Sequence, residues 1–327
     1  ITTHPRRAKP HLKSPPNRAK MVTMRIISVD ELGRLFASLQ GKPRVVVSGN
    51  VAVPWPAVRI LDANKDEYTI HALNAPPGIP DREGVTAETC FVGAGMRRHS
   101  NLSYVPSRLS LVPVLLQRRI PADVVIIHCA PPRDGQLSLG IEVNILPAAI
   151  EGCRMRSGRV VAVINDQMPY TYGDALVPVE WVDVAIDVSE PLPAHDPATP
   201  DDDSRAIGER VASRVSDGST LQMGIGGVPD ATLNALTGRR GLRIWTEMFS
   251  DGVLALDRVG ALEPHHPLTA SFLFGSRELY DWLDGHHRVR MMRTEHTNDP
   301  GLIAQQRKMT SVNTALWDLT VALGGAV

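Results

Sequence analysis

At 327 residues, with 43% apolar and 21% charged side chains, the chain has the bulk and composition of a soluble globular protein of two or three domains. Thirty-five Lys and Arg balance 35 Asp and Glu, which argues against nucleic acid or an anionic membrane as the main partner. Cys90, Cys129 and Cys153 form an odd set without metal-ligand spacing, as expected of reduced thiols in a cytoplasmic protein that holds no metal.

Residues 1–23 carry six Lys or Arg, four Pro and no acid. This reads as a disordered or mis-annotated basic extension, with Met21 or Met24 as a plausible start; it lacks the apolar segment of a signal peptide. No apolar run reaches membrane-span length. From residue 24 short apolar runs alternate with helical patterns. Arg44–Val47 (RVVV), residues 67–73 (EYTIHAL), 123–129 (DVVIIHC) and 159–164 (RVVAVI) read as strands, the last two buried on both faces. Between them 146–154 (LPAAIEGCR) reads as a helix, with Pro147 in its first turn. Residues 182–188 (VDVAIDV) alternate as a half-covered strand does. Strand–helix–strand order predicts an α/β fold of mostly parallel sheets.

Residues 191–204 (PLPAHDPATPDDDS) hold four Pro and four Asp and are expected to be a linker between two domains, 24–190 and 205–327. The rhythm then restarts: a helix over 204–215 with Ser204 as its cap, a strand over 220–223, a helix from about Asp230 and a strand over 242–245. Thr246 and Glu247 are expected to open the next helix. Residues 268–274 read as a strand and 277–283 as a helix.

Two segments could carry chemistry. Gly224–Asp230 (GIGGVPD) joins a strand to a helix, where glycines admit positive φ and a helix start offers N–H groups to an anion. It is neither a dinucleotide fingerprint nor a P-loop, and a plain structural turn explains it as well. In Trp245–Gly252 (WTEMFSDG), Glu247 stands at the C-terminal end of a strand, where open α/β sheets bind ligands; an acid in a first helical turn can equally serve the helix dipole. The pairs His265–His266 and His286–His287 lack metal-ligand spacing and read as loop histidines. No G-x-S-x-G occurs, and Cys129 reads as a small core residue.

Taken together, GIGGVPDA (224–231) and TEMFSDG (246–252) resemble the acetyl-CoA hydrolase/transferase family, which includes acetate, succinate and 4-hydroxybutyrate CoA-transferases. SLGIEVNILPAAIE (138–151), INDQMPYTYGD (164–174), FLFGSRELYDWLD (272–284) and TNDPGLIAQQRKMTSVNTAL (297–316) are similar to further family blocks in family order. The resemblance covers residues 24–316. It implies two CoA-transferase-type (NagB/RpiA-like) domains with the site between them. It makes Glu247 the nucleophile and Gly224, Ile225, Gly226, Gly227 and Val228 a CoA-binding loop, with Asn313 facing the site. It also sets Met168–Asp174 in the cleft wall.

The implied substrates are acyl-CoA, acetyl-CoA foremost, and a short carboxylate. Coenzyme A passes through as a substrate, no cofactor is held permanently, and a homo-oligomer is compatible with the family. Acetyl-CoA hydrolysis at the same site is the rival activity. After Leu316 the chain reads WDLTVALGGAV and departs from the family pattern, which continues through a second glycine-rich block. The second domain is therefore expected to be incomplete, and the chain poorly soluble and slow, or a remnant that at most binds CoA. A dinucleotide-binding protein, resting on the glycines alone, lacks a separate acid for the ribose.

Overall fold

In the computed structural model, residues 24–313 apart from Ile225 are described. The first half begins with β1 (Arg25–Ile26) and α1 (Val29–Ala37), then β2 (Arg44–Val47), α2 (Trp55–Asn64), β3 (Tyr68–His71), β4 (Val85–Thr89) and β5 (Leu102–Tyr104). It continues through α3 (Val112–Arg118), β6 (Val124–Arg133), β7 (Gln136–Ser138), α4 (Leu146–Met155), β8 (Arg159–Asn165), β9 (Tyr172–Gly173), β10 (Leu176–Pro178) and β11 (Val184–Val188). The main sheet runs β1-β11-β8-β6-β2-β3-β4-β5, every neighbour parallel. The β6–β7 hairpin adds an antiparallel edge to this sheet, and β10 pairs antiparallel with β7 beyond it.

The apolar runs are buried on both faces because alternate residues enter different cores. Val45, Val47, Val124, Ile126, Val161 and Val163 pack with Leu32, Phe36, Val58 and Leu61 of α1 and α2. Val46, Val125, Ile127, Val160 and Ala162 face Leu116 and Ile150 of α3 and α4. Helix α1 starts at a capping box, Ser28 accepting from the Glu31 amide while Glu31 returns to the Ser28 backbone.

The second half contains α5 (Asp202–Ala212), β12 (Thr220–Met223), α6 (Gly227–Ala235), β13 (Arg243–Trp245), β14 (Met248–Phe249), α7 (Asp251–Arg258), β15 (Leu268–Ala270) and β16 (Phe272–Leu273). It ends with α8 (Arg277–Leu283), β17 (Val289–Met291), α9 (Thr294–Thr297), α10 (Pro300–Ala304) and β18 (Met309–Val312). Its sheet runs β18-β12-β13-β15-β17-β9, all parallel, so a strand from the first half closes the edge of the second sheet. The chain is thus α/β with mostly parallel sheets. The apolar cluster beneath α3 and α4 runs on without a break into Leu221, Ile244, Leu268 and Met291 of the second sheet.

Two sequence expectations are corrected. The helix after the linker starts at Asp202, capped by Asp201, whose side chain accepts from the Ser204 amide at 2.7 Å; Asp201 is the first residue able to reach those free amides, so Ser204 lies inside the helix. The linker itself has no helix or strand up to Asp201, yet it is tied down. Leu192 is buried, the Tyr280 hydroxyl donates to Pro193 O, and His195 stacks on Phe274 at 4.0 Å. The second correction concerns Glu247 and is described with the site.

Candidate active site

The chain leaves β13 at Trp245 and does not turn into a helix. The buried Thr246 hydroxyl donates to Met223 O or Met248 O and accepts from Met223 N, pinning this point to the end of β12. Glu247 then makes a bend, its carbonyl accepting from both Ser271 N and Phe272 N. Met248 and Phe249 pair in parallel with Phe272 and Leu273, and only Asp251 begins a helix. Glu247 therefore does not cap a helix dipole: tertiary hydrogen bonds from Ser271 and Phe272 hold the backbone in this bend where the local pattern favoured a turn of helix.

Glu247 is half-buried on the wall of a cavity of about 90 Å³. The other lining residues are Asn50, Leu73, Asn74, Phe91, Leu109 and Asn144 from the first half and Phe272 from the second. Burial raises the Glu247 carboxyl above the usual carboxylate range, and one hydrogen bond, from Asn298 Nδ2 to Oε2 at 3.2 Å, works the other way. Asn298 is oriented for this: the Thr297 hydroxyl donates to Asn298 Oδ1 at 3.0 Å, leaving the amide nitrogen for Glu247.

Glu142 does not itself line the cavity; it lies behind Asn50 and Asn144, which do, and is 2% exposed. Asn50 Nδ2 donates to its Oε2 at 2.8 Å and Asn144 Nδ2 to its Oε1 at 2.7 Å. Asn74 Nδ2 in turn donates to Asn50 Oδ1 at 2.8 Å. Burial above all, with the charge of Glu247 adding to it, pushes the Glu142 carboxyl up to about 7 against these two hydrogen bonds. No sequence motif singled out Glu142 or the three asparagines. The available signal was an acid in an otherwise apolar alternation, Ile141, Val143 and Ile145, all buried.

The glycine loop occupies the neighbouring strand end, 224–228 linking β12 to α6. Gly226 has φ +118° and ψ −179°, open to glycine alone. A Cβ at Gly224 would lie 2.7 Å from Asn313 Oδ1, and Asn313 itself exchanges hydrogen bonds with Gln222. Gly227 begins α6, Val228 lies in its first turn, and Ile225 falls outside the described residues. Neither the described residues of the loop nor Asn313 line the cavity; Thr246, one residue from Glu247, bonds the strand that carries the loop. Met168–Asp174 does not line it either. Its Tyr172 and Gly173 are β9, and Asp174 accepts from Arg293 N at 3.0 Å, so the segment joins the halves.

Among the described residues no three His, Cys, Asp or Glu stand together as a metal site, and no helix is long and apolar enough to cross a membrane. All three cysteines are free and buried. Burial raises their thiols, Cys90 to about 11 and Cys153 to about 12, and Cys129 is also raised. None of them is a nucleophile at neutral pH.

Comparison with known proteins adds independent findings. The acetyl-CoA hydrolase/transferase N-terminal domain matches residues 81–194 and the C-terminal domain of the same name matches 275–327. A 4-hydroxybutyrate coenzyme A transferase of Clostridium kluyveri is 32% identical over 302 residues, covering 86% of this chain and 70% of that protein. A succinyl-CoA:acetate/propanoyl-CoA:succinate CoA transferase of Fasciola hepatica is 31% identical, over 86% of this chain and 62% of its own length. Among solved structures, a 4-hydroxybutyrate CoA-transferase of Porphyromonas gingivalis superposes with a TM-score of 0.72 at 29% identity, over 88% of this chain and 72% of that one. RipA from Yersinia pestis shares the fold with a TM-score of 0.79 at 22% identity, over 88% and 75% of the two chains.

Proposed function

Since the chain belongs to the acetyl-CoA hydrolase/transferase family, we propose that it moves coenzyme A between an acyl-CoA, acetyl-CoA foremost, and a short carboxylate, with Glu247 as nucleophile. The observation that carries this reading is a half-buried carboxylate, held by one side-chain hydrogen bond, on the wall of a small cavity between the halves.

A Glu247 oxygen attacks the thioester carbonyl carbon; the C–S bond breaks, and CoA thiolate leaves behind an acyl–glutamyl anhydride. The thiolate attacks the glutamyl carbonyl, the donor acid departs as its carboxylate, and a glutamyl-CoA thioester remains. The acceptor carboxylate attacks that thioester and expels the thiolate, which then takes the acceptor's acyl group from the new anhydride and frees Glu247. No net proton is consumed. Coenzyme A is thus substrate and product rather than resident cofactor. The glycine loop at 224–228 and Asn313 form the CoA side of the site, with the domain boundary at 191–204. Leu73, Phe91, Leu109 and Phe272 line the cavity with apolar groups, which favours transfer over hydrolysis by keeping water from the anhydride. Buried reduced thiols suit a cytoplasmic enzyme.

The test is acyl exchange from acetyl-CoA to propionate, 4-hydroxybutyrate or succinate. Glu247→Ala is expected to abolish exchange while CoA binding persists. Borohydride added with acyl-CoA should reduce a glutamyl thioester and change the mass at Glu247. An active Ala variant, or label on another residue, overturns the assignment.

A further inference from the structure

We propose that Glu142 is a positioning residue of this site: with Asn50 and Asn74 it holds the Asn144 carboxamide beside the acyl group that forms on Glu247. The inference rests on the transferase reading above.

Three observations carry it. First, the two acids are tied to one short strand: Glu142 forms an antiparallel bridge with Phe272, and Phe272 N donates to Glu247 O. Second, Asn50, Asn74 and Asn144 all line the cavity with Glu247, and all have positive φ, at 45°, 47° and 32°. Asparagine tolerates that conformation better than other side chains, and three such residues around one acid mark a held polar constellation rather than a packed core. Third, Asn144 Oδ1 is buried without a hydrogen-bond partner among the described residues.

Among the described residues no cation faces Glu142. The turn at Asn50 and the strand at Phe272 bring no titratable side chain. Helix α9, whose Thr294 N donates to Asn144 O, follows Arg293, whose guanidinium is engaged by Glu151 and by Glu295 of the helix, while its His296 pairs with Asp174. The charged group left is Glu247. Glu142 and the half-buried Glu247 are close enough for the charge of one to act on the other, so both do not ionise cheaply and the proton stays with one of them. Glu247 must be a carboxylate to attack, and Glu142, the more deeply buried, keeps the proton.

A protonated Glu142 needs an acceptor, and the orphaned oxygen of Asn144 supplies it. With the Asn144 amide turned over, Glu142 donates to Asn144 Oδ1 across the 2.7 Å contact, while Asn50 still donates to the other Glu142 oxygen. Asn144 Nδ2 then takes the buried position of that oxygen, an uncommitted donor on a residue that lines the cavity, there to meet the oxygen that becomes negative when Glu247 attacks. Ionisation of Glu142 removes that arrangement and places a second negative charge beside Glu247.

The test follows transfer from acetyl-CoA to propionate between pH 5.5 and 9. In the wild type kcat is expected to fall as pH rises through about 7, where Glu142 loses its proton. Glu142→Gln reproduces the protonated acid, one acceptor and one donor. It should stay within about threefold of wild type at pH 6 and lose the fall near 7. Glu142→Leu cannot hold Asn144 and should lower kcat by about ten-fold or more, with KM for acetyl-CoA within about twofold. A fall that persists in Glu142→Gln, or a wild-type kcat in folded Glu142→Leu, overturns the proposal.

A substrate-free measurement stands beside it. Because the folded-state pKa of Glu142 is raised, its stabilising protonated form is fully present below the ordinary glutamate range and lost as pH rises through about 7. The Tm of wild type should therefore drop relative to Glu142→Gln between pH 5 and 8, and parallel Tm curves overturn the proposal. Glu247→Ala, run alongside, separates the two readings. Transfer surviving there defeats the nucleophile assignment, whereas a silent Glu142 in a protein that needs Glu247 defeats this one alone.

Discussion

Asn298 shows what a single amide contributes to a buried carboxylate. Burial favours the neutral form of Glu247 and the hydrogen bond from Asn298 favours the charged form. Attack requires the charged form, so transfer is expected to fade as pH falls through a value above the ordinary glutamate range. Asn298→Ala removes the opposing hydrogen bond. It should move that acid limb to higher pH and cost about ten-fold or more in kcat near pH 6, from the about 1.5–3 kcal/mol of a hydrogen bond to a charged group. A kcat–pH profile for both proteins decides it; an unmoved acid limb would mean that Asn298 only fills space. The residue is found only in three dimensions, since it reaches Glu247 from α9's end, across the turn that Thr297 and Ser271 brace with a 2.7 Å contact between their hydroxyls.

At the scale of elements, β9 is the piece on which the two halves depend. It is two residues long, yet its pairing with β17 carries the first half onto the second sheet. Gly173 makes this possible: its φ is +93°, and a Cβ there would stand 2.5 Å from Met291 O. Gly173→Ala therefore meets both backbone strain and a backbone clash, at a cost of about 1–3 kcal/mol. The expected result is a lower denaturant midpoint and faster proteolysis near residues 172–174, with α1 and its capping box unaffected in hydrogen exchange. A variant as stable as wild type would show that the joint yields freely.

Across the whole molecule, the site exists because the halves share one apolar core and a polar lock beside it. Arg293 donates to both oxygens of Glu151 on α4, at 2.8 and 2.9 Å, and also pairs with Glu295. Arg293→Met keeps the apolar stem and deletes the fork, leaving Glu151 with Gln117 as its partner. Chemical denaturation should register a loss of about 1.5–3 kcal/mol, and Arg293→Lys should recover only part of it, because an ammonium cannot match a bidentate carboxylate. Full recovery by Lys would reduce the contact to a simple charge pair.

The sequence by itself determined the longer apolar strands of the first sheet and the fold class. Continuous runs such as RVVV and RVVAVI can be buried on both faces only in a parallel sheet covered by helices, and that period is local information. The motif blocks pointed to the family and to Glu247 for the same reason, since the residues of a block are neighbours in the chain. Tertiary structure alone decided the rest. It drew Glu247 out of a helix through hydrogen bonds with Ser271 and Phe272, and it moved Tyr172 and Gly173 into the second sheet. It also closed Glu142, Asn50, Asn74 and Asn144 into one constellation beside Glu247, about a hundred residues further along the chain than Glu142. Pairings at such separations leave no periodic trace. What they leave is an acid in an apolar stretch, and its meaning appears only when the cavity around it is formed.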